Sequence, residues 1–261
     1  AGIRGESSTR TIKYREQGDP FGSAYRKKTD DKLDVLPSIN AKRILNENSN
    51  LRVSLAKTIT RPVAMELLPI NYINADGTSE SGNPDLKDSE NYNVDFKYEL
   101  FPNNKELFAI GVFGKMINDP IERVFKPTAN SGGQITTFKN SEQAVIYGAE
   151  IEMLFQLSRI NESLANFSLG FNTSLMSTDV KIDLKKQGNE LENSTNRKLQ
   201  GASSWLINSD LKYDFILNKD WKNSMTLVYN VYGDRIFAVG SSGIDHIYEK
   251  SFSKLDFVWT N

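Results

Sequence analysis

Residues 91–100 alternate strictly between apolar and polar side chains. In NYNVDFKYEL every even-numbered position is apolar or aromatic, and every odd-numbered position is Asn, Asp, Lys or Glu. A period of two is typical of a β-strand that has one apolar face and one polar face. The pattern therefore predicts a strand here. It leaves open whether the apolar face contacts the core of a soluble sandwich or lipid.

The same kind of pattern recurs along the chain and predicts about ten strands. They fall near 1–12, 34–45, 51–60, 90–100, 106–117, 143–157, 164–176, 202–216, 223–238 and 248–260. No helical period is sustained anywhere. In LFAIGVFGK the pattern is mixed, because Phe113 falls on the face of Ala109, Gly111 and Lys115. Which alternate residues of that strand form its apolar face therefore stays open.

The connections between the predicted strands alternate in length. Short, turn-like connections lie near 46–50, 101–105, 158–163 and 218–221, and long ones near 13–33, 61–89, 118–142, 177–201 and 239–247. If the strands run up and down, all short turns lie at one end. Strands of roughly 10–15 residues exceed the ~5–6 residues of most soluble strands and suit the ~25 Å apolar band of an outer-membrane barrel. We therefore predict an all-β, antiparallel transmembrane β-barrel. The alternatives are a soluble or surface-attached β-sandwich binding module and a passive porin.

Composition is compatible with a membrane barrel and argues against a helical membrane protein, a nucleic-acid-binding protein and a protein with disulfides. The 38% hydrophobic and 25% charged residues resemble a soluble protein, but half the strand positions of a barrel face water. No apolar run approaches the ~18–20 residues of a transmembrane helix. A net charge of −1 without a basic stripe gives no support for a nucleic-acid partner. The absence of cysteine excludes disulfides and cysteine-based zinc sites.

Few residues suggest chemistry. Glu150 and Glu152 share one strand face, as do Asp95, Lys97 and Glu99. Carboxylates placed in this way can perform acid–base catalysis or bind metal, but a charge network along a barrel wall predicts the same pattern and is favoured. The single histidine is His246, which excludes a site of two or three histidines within this chain and favours a surface or strand-end role. We predict no enzyme activity, catalytic residue, metal site or cofactor, and no substrate residue is identifiable.

The remaining motifs have structural interpretations that outweigh functional ones. GNPDLK at 82–87 predicts a turn rather than a ligand contact, and Pro62 in TRP predicts the end of a strand. The charged stretch 178–198 predicts a solvated loop, with ligand gating as its alternative. Aromatic residues near strand ends fit the two girdles of a membrane barrel; they are Tyr98, Tyr147, Trp205, Tyr213, Trp221 and Trp259.

Residues 51–100 resemble a known family. NLRVSLAKTITRPVAMELLP, followed by GNPDLKDSENYNVDFKYELF, is similar to the strand–loop–strand unit of TonB-dependent outer-membrane receptors, particularly those of Bacteroidetes-type bacteria. The segments FAIGVFGKMINDPIE and AVIYGAEIEM resemble the strands that follow in the family. The resemblance is strongest across 33–155.

The resemblance implies a 22-stranded barrel of the bacterial outer membrane with a plug domain folded inside it. Such receptors import a scarce, bulky ligand, namely a siderophore, a cobalamin-like cofactor or an oligosaccharide. Residues 1–261 are then one barrel segment from the C-terminal part of a longer protein, with the plug and terminal strands outside it. The expected partners are outer-membrane lipid, the protein's own plug, the TonB motor complex and the imported ligand.

Overall fold

The structure is a computed structural model that describes residues 1–16, 18–75, 78–127, 134–182, 196–218, 221–241 and 243–261. Its described part contains seventeen strands and little helix. The strands are β1 (Gly2–Tyr14), β2 (Arg26–Asn46), β3 (Ser49–Thr60), β4 (Asn71–Ile73), β5 (Ser79–Ser81), β6 (Ser89–Leu100), β7 (Leu107–Asn118), β8 (Ile121–Pro127), β9 (Gln134–Asn140), β10 (Gln143–Gln156), β11 (Phe167–Lys181), β12 (Asn196–Arg197), β13 (Trp205–Leu217), β14 (Trp221–Tyr232), β15 (Arg235–Gly240), β16 (Ile247–Glu249) and β17 (Phe252–Thr260). One α-helical turn, α1 (Ala64–Leu67), and two 3₁₀ turns, Leu157–Arg159 and Glu162–Leu164, complete the list. No described helix is long and apolar enough to cross a membrane.

Ten long strands form one antiparallel sheet. Its order is β1-β2-β3-β6-β7-β10-β11-β13-β14-β17, so each long strand pairs with the next long strand along the chain, and the two-residue β12 pairs with β11. These ten strands are the ten that the sequence predicts. The short connections all lie at one end of the sheet, called here the turn end, and the long connections lie at the other, called the loop end.

Some predicted boundaries are wrong, chiefly at the loop end. The predicted strand 34–45 begins eight residues earlier, at Arg26, because its polar first half pairs in register with β1 from Arg26↔Tyr14 to Ser38↔Gly2. The predicted strand 223–238 is two strands, β14 and β15, that are separated at Gly233. A Cβ on Gly233 would lie 2.5 Å from the indole Nε1 of Trp205, so a larger residue at this corner would have to displace the indole.

The long connections build a second sheet of six short strands at the loop end. Its order is β16-β15-β8-β9-β5-β4, and it joins strands from three different connections through two parallel pairs, β15 with β8 and β5 with β9. We call residues 61–88, 119–142, 196–204 and 233–251, as far as they are described, the loop assembly. The sequence predicts most of these residues as loops and places 202–204, 233–238 and 248–251 in strands, but it gives no sign of this sheet.

The two faces of the ten-stranded sheet differ as the alternation predicts. On the apolar face Ile110 is 53% exposed, Val112 55% and Leu175 62%. The opposite face, called the polar face, carries Asn, Asp, Glu, Lys and Ser. Phe113, whose parity the sequence leaves open, lies on the polar face, where its ring covers Gly148.

The buried apolar core lies at the loop end rather than behind the sheet. One cluster joins Leu67, Leu86 and Phe138, and a second joins Ala144, Val180 and Leu199. A soluble sandwich would bury the apolar face of its sheet against a second layer. Here that face stays open to the surroundings, which is the arrangement of a sheet that has lipid as its apolar neighbour.

Candidate functional site

The polar face carries ion pairs that run from strand to strand. Lys97 on β6 and Glu152 on β10 lie 2.6 Å apart, Nζ to Oε2, although β7 separates their strands. Their side chains meet above β7 because the intervening positions, Ala109 and Gly111, are small. Glu99 accepts a hydrogen bond from Arg52 Nε at 2.7 Å. The favoured interpretation of these charges, a network along a wall, is the one that the structure supports.

The charges predicted as candidates do not converge into one site. Asp95 and Glu150 line an open cavity of about 650 Å³ on the polar face, together with Lys115, Asn93 and Phe113. Glu152 belongs to the pair with Lys97 and Glu99 to the pair with Arg52. Among the described residues there is no group of three or more His, Asp or Glu placed to hold a metal ion. The arrangement is that of a polar wall whose charges are distributed over several strands.

A second charge cluster lies on the polar face at the loop end, between β1, β2 and β3. Asp88 is almost fully buried and pairs with Arg10 at 3.0 Å and with Lys32 at 3.1 Å. Arg61 donates to Glu6 at 3.0 Å and to Asp34 at 2.9 Å. The hydrogen bond to Glu6 raises the pKa of Arg61. The cluster fixes the end of the second long connection to the wall.

One buried ion pair holds the loop assembly together. Glu122 on β8 receives two hydrogen bonds from the Arg197 guanidinium, at 2.8 and 2.7 Å, and both side chains are at least 97% buried. Ser141 and the backbone N–H of Gln200 also donate to the Glu122 carboxylate. A fully hydrogen-bonded, bidentate pair of this kind sets one geometry for the segments that carry it. It joins the third long connection to the fourth.

A second contact joins three long connections. The Arg123 guanidinium lies 4.8 Å from the Phe237 ring centroid and 5.6 Å from that of Phe138, and it pairs with Glu80 at 3.2 Å. Gln200 Nε2 donates to the backbone carbonyl of Phe237. The second, third, fourth and fifth connections therefore form one packed unit above the loop end of the sheet.

The predicted turn and loop motifs have clear places in this unit. Residues 84–85 of GNPDLK form a turn, as predicted, and the amide of Asn83 donates to the carbonyl of Phe138. β3 ends at Thr60, just before Pro62, also as predicted. His246 lies in the connection before β16, where its Nδ1 accepts a hydrogen bond from the Gly240 N–H at 3.0 Å. The charged stretch 178–198 falls partly outside the described residues.

The aromatic residues predicted as girdles lie on the apolar face toward the strand ends. Trp205 begins β13 at the loop end, while Trp221 begins β14 at the turn end. Trp259 pairs with Met225 near the turn end, and Tyr213 stacks on Phe167 with ring centroids 4.5 Å apart. Aromatic residues at both ends of an exposed apolar band are typical of a protein that spans a membrane with strands.

The chain is an integral membrane protein of the antiparallel β-barrel class. The antiparallel fold, the exposed apolar band and the positions of the aromatic residues together define this class. The chain belongs to the outer membrane protein beta-barrel family, whose model matches residues 1–248. It is therefore a protein of the bacterial outer membrane. This membership rules out the soluble β-sandwich as the fold.

Solved structures with the same fold are receptors and transporters. The chain is similar to the siderophore receptor PirA from Acinetobacter baumannii (TM-score 0.51, 18% identity, 88% of this chain and 35% of that one). It is also similar to the copper transporter OprC (0.60, 16%, 96% and 35%) and to the ferric yersiniabactin uptake receptor FyuA from Yersinia pestis (0.60, 13%, 98% and 34%). The chain spans about a third of the length of each of these three proteins. At such identities the likeness shows the fold alone. A search of curated proteins finds no match.

Proposed function

We propose that residues 1–261 form part of the wall and several of the external loops of a TonB-dependent receptor. The receptor would bind a scarce, bulky ligand outside the cell and import it through a plugged barrel. The observation that carries the proposal is the union of four long connections into one packed assembly at one end of a wall with a polar face. A capture surface needs loops that hold a fixed shape on a rigid scaffold.

The open edges of the sheet support a larger barrel. In the described chain β1 pairs only with β2, and β17 pairs only with β14. Unpaired backbone groups are costly in lipid, so further strands of the same barrel are expected against both edges. The match to about a third of each receptor chain agrees with ten strands out of 22. The plug domain would then lie against the polar face.

The charge pairs of the wall suit that plug. Because Lys97, Glu152, Arg52 and Glu99 are already paired within the wall, they present a nearly neutral, hydrogen-bonding surface. When the plug moves away from such a surface and water replaces it, no charge of the wall is left without a partner. A passive porin, the alternative, would use the same surface to line an open channel.

Ligand uptake by cells that produce the full-length protein tests the proposal. We expect saturable uptake of one ligand among labelled ferric siderophores, copper complexes, cobalamin and oligosaccharides, and we expect it to stop when the TonB motor is deleted. Arg197→Gln should lower ligand binding to whole cells by disordering the loop assembly, while Lys105→Gln in a turn-end connection should leave binding unchanged. Non-saturable uptake that continues without the motor would instead establish a porin.

A further inference from the structure

A cavity of about 280 Å³ lies on the polar face at the loop end, between β11, β13 and β14 of the wall and the loop assembly. The loop assembly contributes residues 201–203 and Arg235 to its lining. Met176 of β11 lines this cavity and also the cavity of about 650 Å³ beside it. The two cavities meet at the Met176 side chain, and together we call them the loop-end groove.

The smaller cavity presents polar groups without partners of their own. Asn208 and Asn230 face each other in register on β13 and β14, and neither amide makes a side-chain hydrogen bond within the part of the chain that the structure describes. Each amide offers one acceptor and two donors. Hydroxyl groups both donate and accept, so this pair of amides suits a ligand that carries neighbouring hydroxyls.

Glu249 fixes two further groups at this cavity. Its carboxylate accepts from the hydroxyl of Tyr232 at 2.7 Å and from Nε of Arg235 at 2.7 Å. The Arg235 guanidinium also lies 4.5 Å from the centroid of the Tyr232 ring. The two terminal nitrogens of Arg235 make no hydrogen bond with any described residue, so their N–H groups are free to donate. Because Glu249 offsets the charge of Arg235, the cavity has fixed donors without a net positive charge.

The larger cavity is unfavourable for an anion. Its charged residues are Asp95, Glu150 and Lys115, so carboxylates outnumber cations. A polyanionic metal chelate would be repelled there, whereas an uncharged ligand would not. Phe113 lines the same cavity, and its ring gives an apolar surface on which the C–H face of a sugar ring can pack.

We propose that the loop-end groove binds an uncharged oligosaccharide. One sugar unit would hydrogen-bond to Asn208, Asn230 and Arg235, and the next would lie beyond Met176 against Phe113. Carboxylates and amides placed beside an aromatic ring accept and donate hydrogen bonds to several hydroxyls at once, and a site built in this way discriminates against ligands that lack them. The inference rests on the proposed function and names the class of ligand that the receptor would import.

Calorimetric titration of the full-length protein tests the proposal. The probes are short neutral oligosaccharides of glucose, mannose, xylose and N-acetylglucosamine, with ferric enterobactin and ferric citrate as anionic chelates. We expect saturable binding of at least one oligosaccharide and no binding of either chelate. Binding of a ferric chelate, or of none of the oligosaccharides, would overturn the inference.

Three variants locate the site. Asn208→Leu should weaken binding of the oligosaccharide by about three- to tenfold, the factor that one lost hydrogen bond amounts to. Asn172→Leu is the matched control, because Asn172 lies in register with Asn208 on the same face but outside both cavities, and its affinity should be unchanged. Asn208→Asp keeps acceptors for a hydroxyl and adds a negative charge, so it should weaken binding less than Asn208→Leu.

Equal affinities of Asn208→Leu and Asn172→Leu would overturn the placement of the ligand, and a larger loss for Asn208→Asp than for Asn208→Leu would overturn its neutrality. Uptake by cells separates this inference from the proposed function. Motor-dependent uptake of a ferric chelate alone would leave the receptor in place and remove the oligosaccharide. Entry of the bound oligosaccharide without the motor would remove the receptor and leave the sugar site.

Discussion

The ten-stranded sheet leaves its apolar side chains exposed, whereas the loop assembly buries apolar side chains in a core. The sheet leaves Ile110, Val112 and Leu175 about half exposed or more and has no second layer behind its apolar face. The loop assembly buries Leu67, Leu86 and Phe138 together, and it also buries Glu122 with Arg197. The difference follows from the two surroundings, which are lipid for the apolar face of the sheet and water for the loops. Lipid replaces a core for the sheet, whereas the loops meet water and have to build a core of their own.

Breaking the buried ion pair should have the largest effect, and the effect should be confined to the loops. Arg197→Met leaves the Glu122 carboxylate buried without its partner, which we expect to lower the free energy of local unfolding of the loop assembly by about 3–5 kcal/mol. Hydrogen exchange of 121–125 and 196–204 measures it. Lys250→Met, which breaks an exposed pair with Asp234, is the control and should change exchange little. Equal protection in wild type and Arg197→Met would show that the pair does not hold the assembly.

The sheet should be sensitive to charge on one face only. β11 begins at Phe167 rather than at 164, so the middle of its apolar band, Phe167 to Leu175, is Phe171. Phe171→Arg should destabilise the full-length protein in lipid by about 2–4 kcal/mol, while Asn172→Arg on the polar face, opposite Glu152, should cost little. Denaturant midpoints in lipid vesicles compare the two variants. Similar midpoints for both would mean that the faces have been assigned incorrectly.

The polar face should also resist added bulk at one glycine. A side chain at Gly148 would collide with the Phe113 ring and the Leu175 carbonyl, so Gly148→Val should cost about 1–3 kcal/mol. Gly5 on the edge strand β1 has no atom within 4 Å of its would-be Cβ, and Gly5→Val serves as the control. Heat-modifiable gel mobility at increasing temperature measures both. Loss of the folded band at the same temperature for the two variants would contradict the close packing at Gly148.

The smallest expected effect is a loss of stability in acid at one edge of the loop assembly, residues 233–251. Hydrogen bonds from Lys250 to Asp234 and from Arg235 to Glu249 lower the pKa of each carboxyl in the folded state. The stabilisation is present above the ordinary pKa of these groups and is lost as the pH falls through the lowered values. Protection of the 233–251 amides against hydrogen exchange, taken relative to the unfolded-state rate at each pH, should therefore fall in acid more than protection of the 121–125 amides. Glu249→Gln should reduce that pH dependence, and an unchanged dependence would assign it to other groups.

The sequence predicts the sheet because the information is local. An alternation such as Tyr92 to Leu100 identifies a strand and its two faces without knowledge of any partner. Alternating long and short connections then order the strands, and all ten are present in the structure. Boundaries are wrong mainly where a strand continues beyond the apolar band, as in the polar first half of β2.

The loop assembly is not predictable in the same way. Glu122 and Arg197 are 75 residues apart, and no motif in the sequence links them. The strands β4, β5, β12 and β16 have only two or three residues, too few for a period to be recognised. Phe113 illustrates a smaller failure, since its place depends on Gly148 of another strand. The charges at Asp95, Lys97, Glu150 and Glu152 are placed on the correct face, but which pairs form depends on the small residues of β7 between them.

The central claim is that the apolar face of the sheet contacts lipid, and β6 tests it most directly. Residues 1–261 contain no cysteine. Single cysteines with a spin label can therefore be placed at each position from 92 to 99 of a full-length protein from which any cysteine outside these residues has been removed, in lipid vesicles. We predict that positions 92, 94, 96 and 98 collide with oxygen dissolved in the bilayer, and that positions 93, 95, 97 and 99 are shielded from it. Equal shielding of both sets from bilayer oxygen would contradict the account.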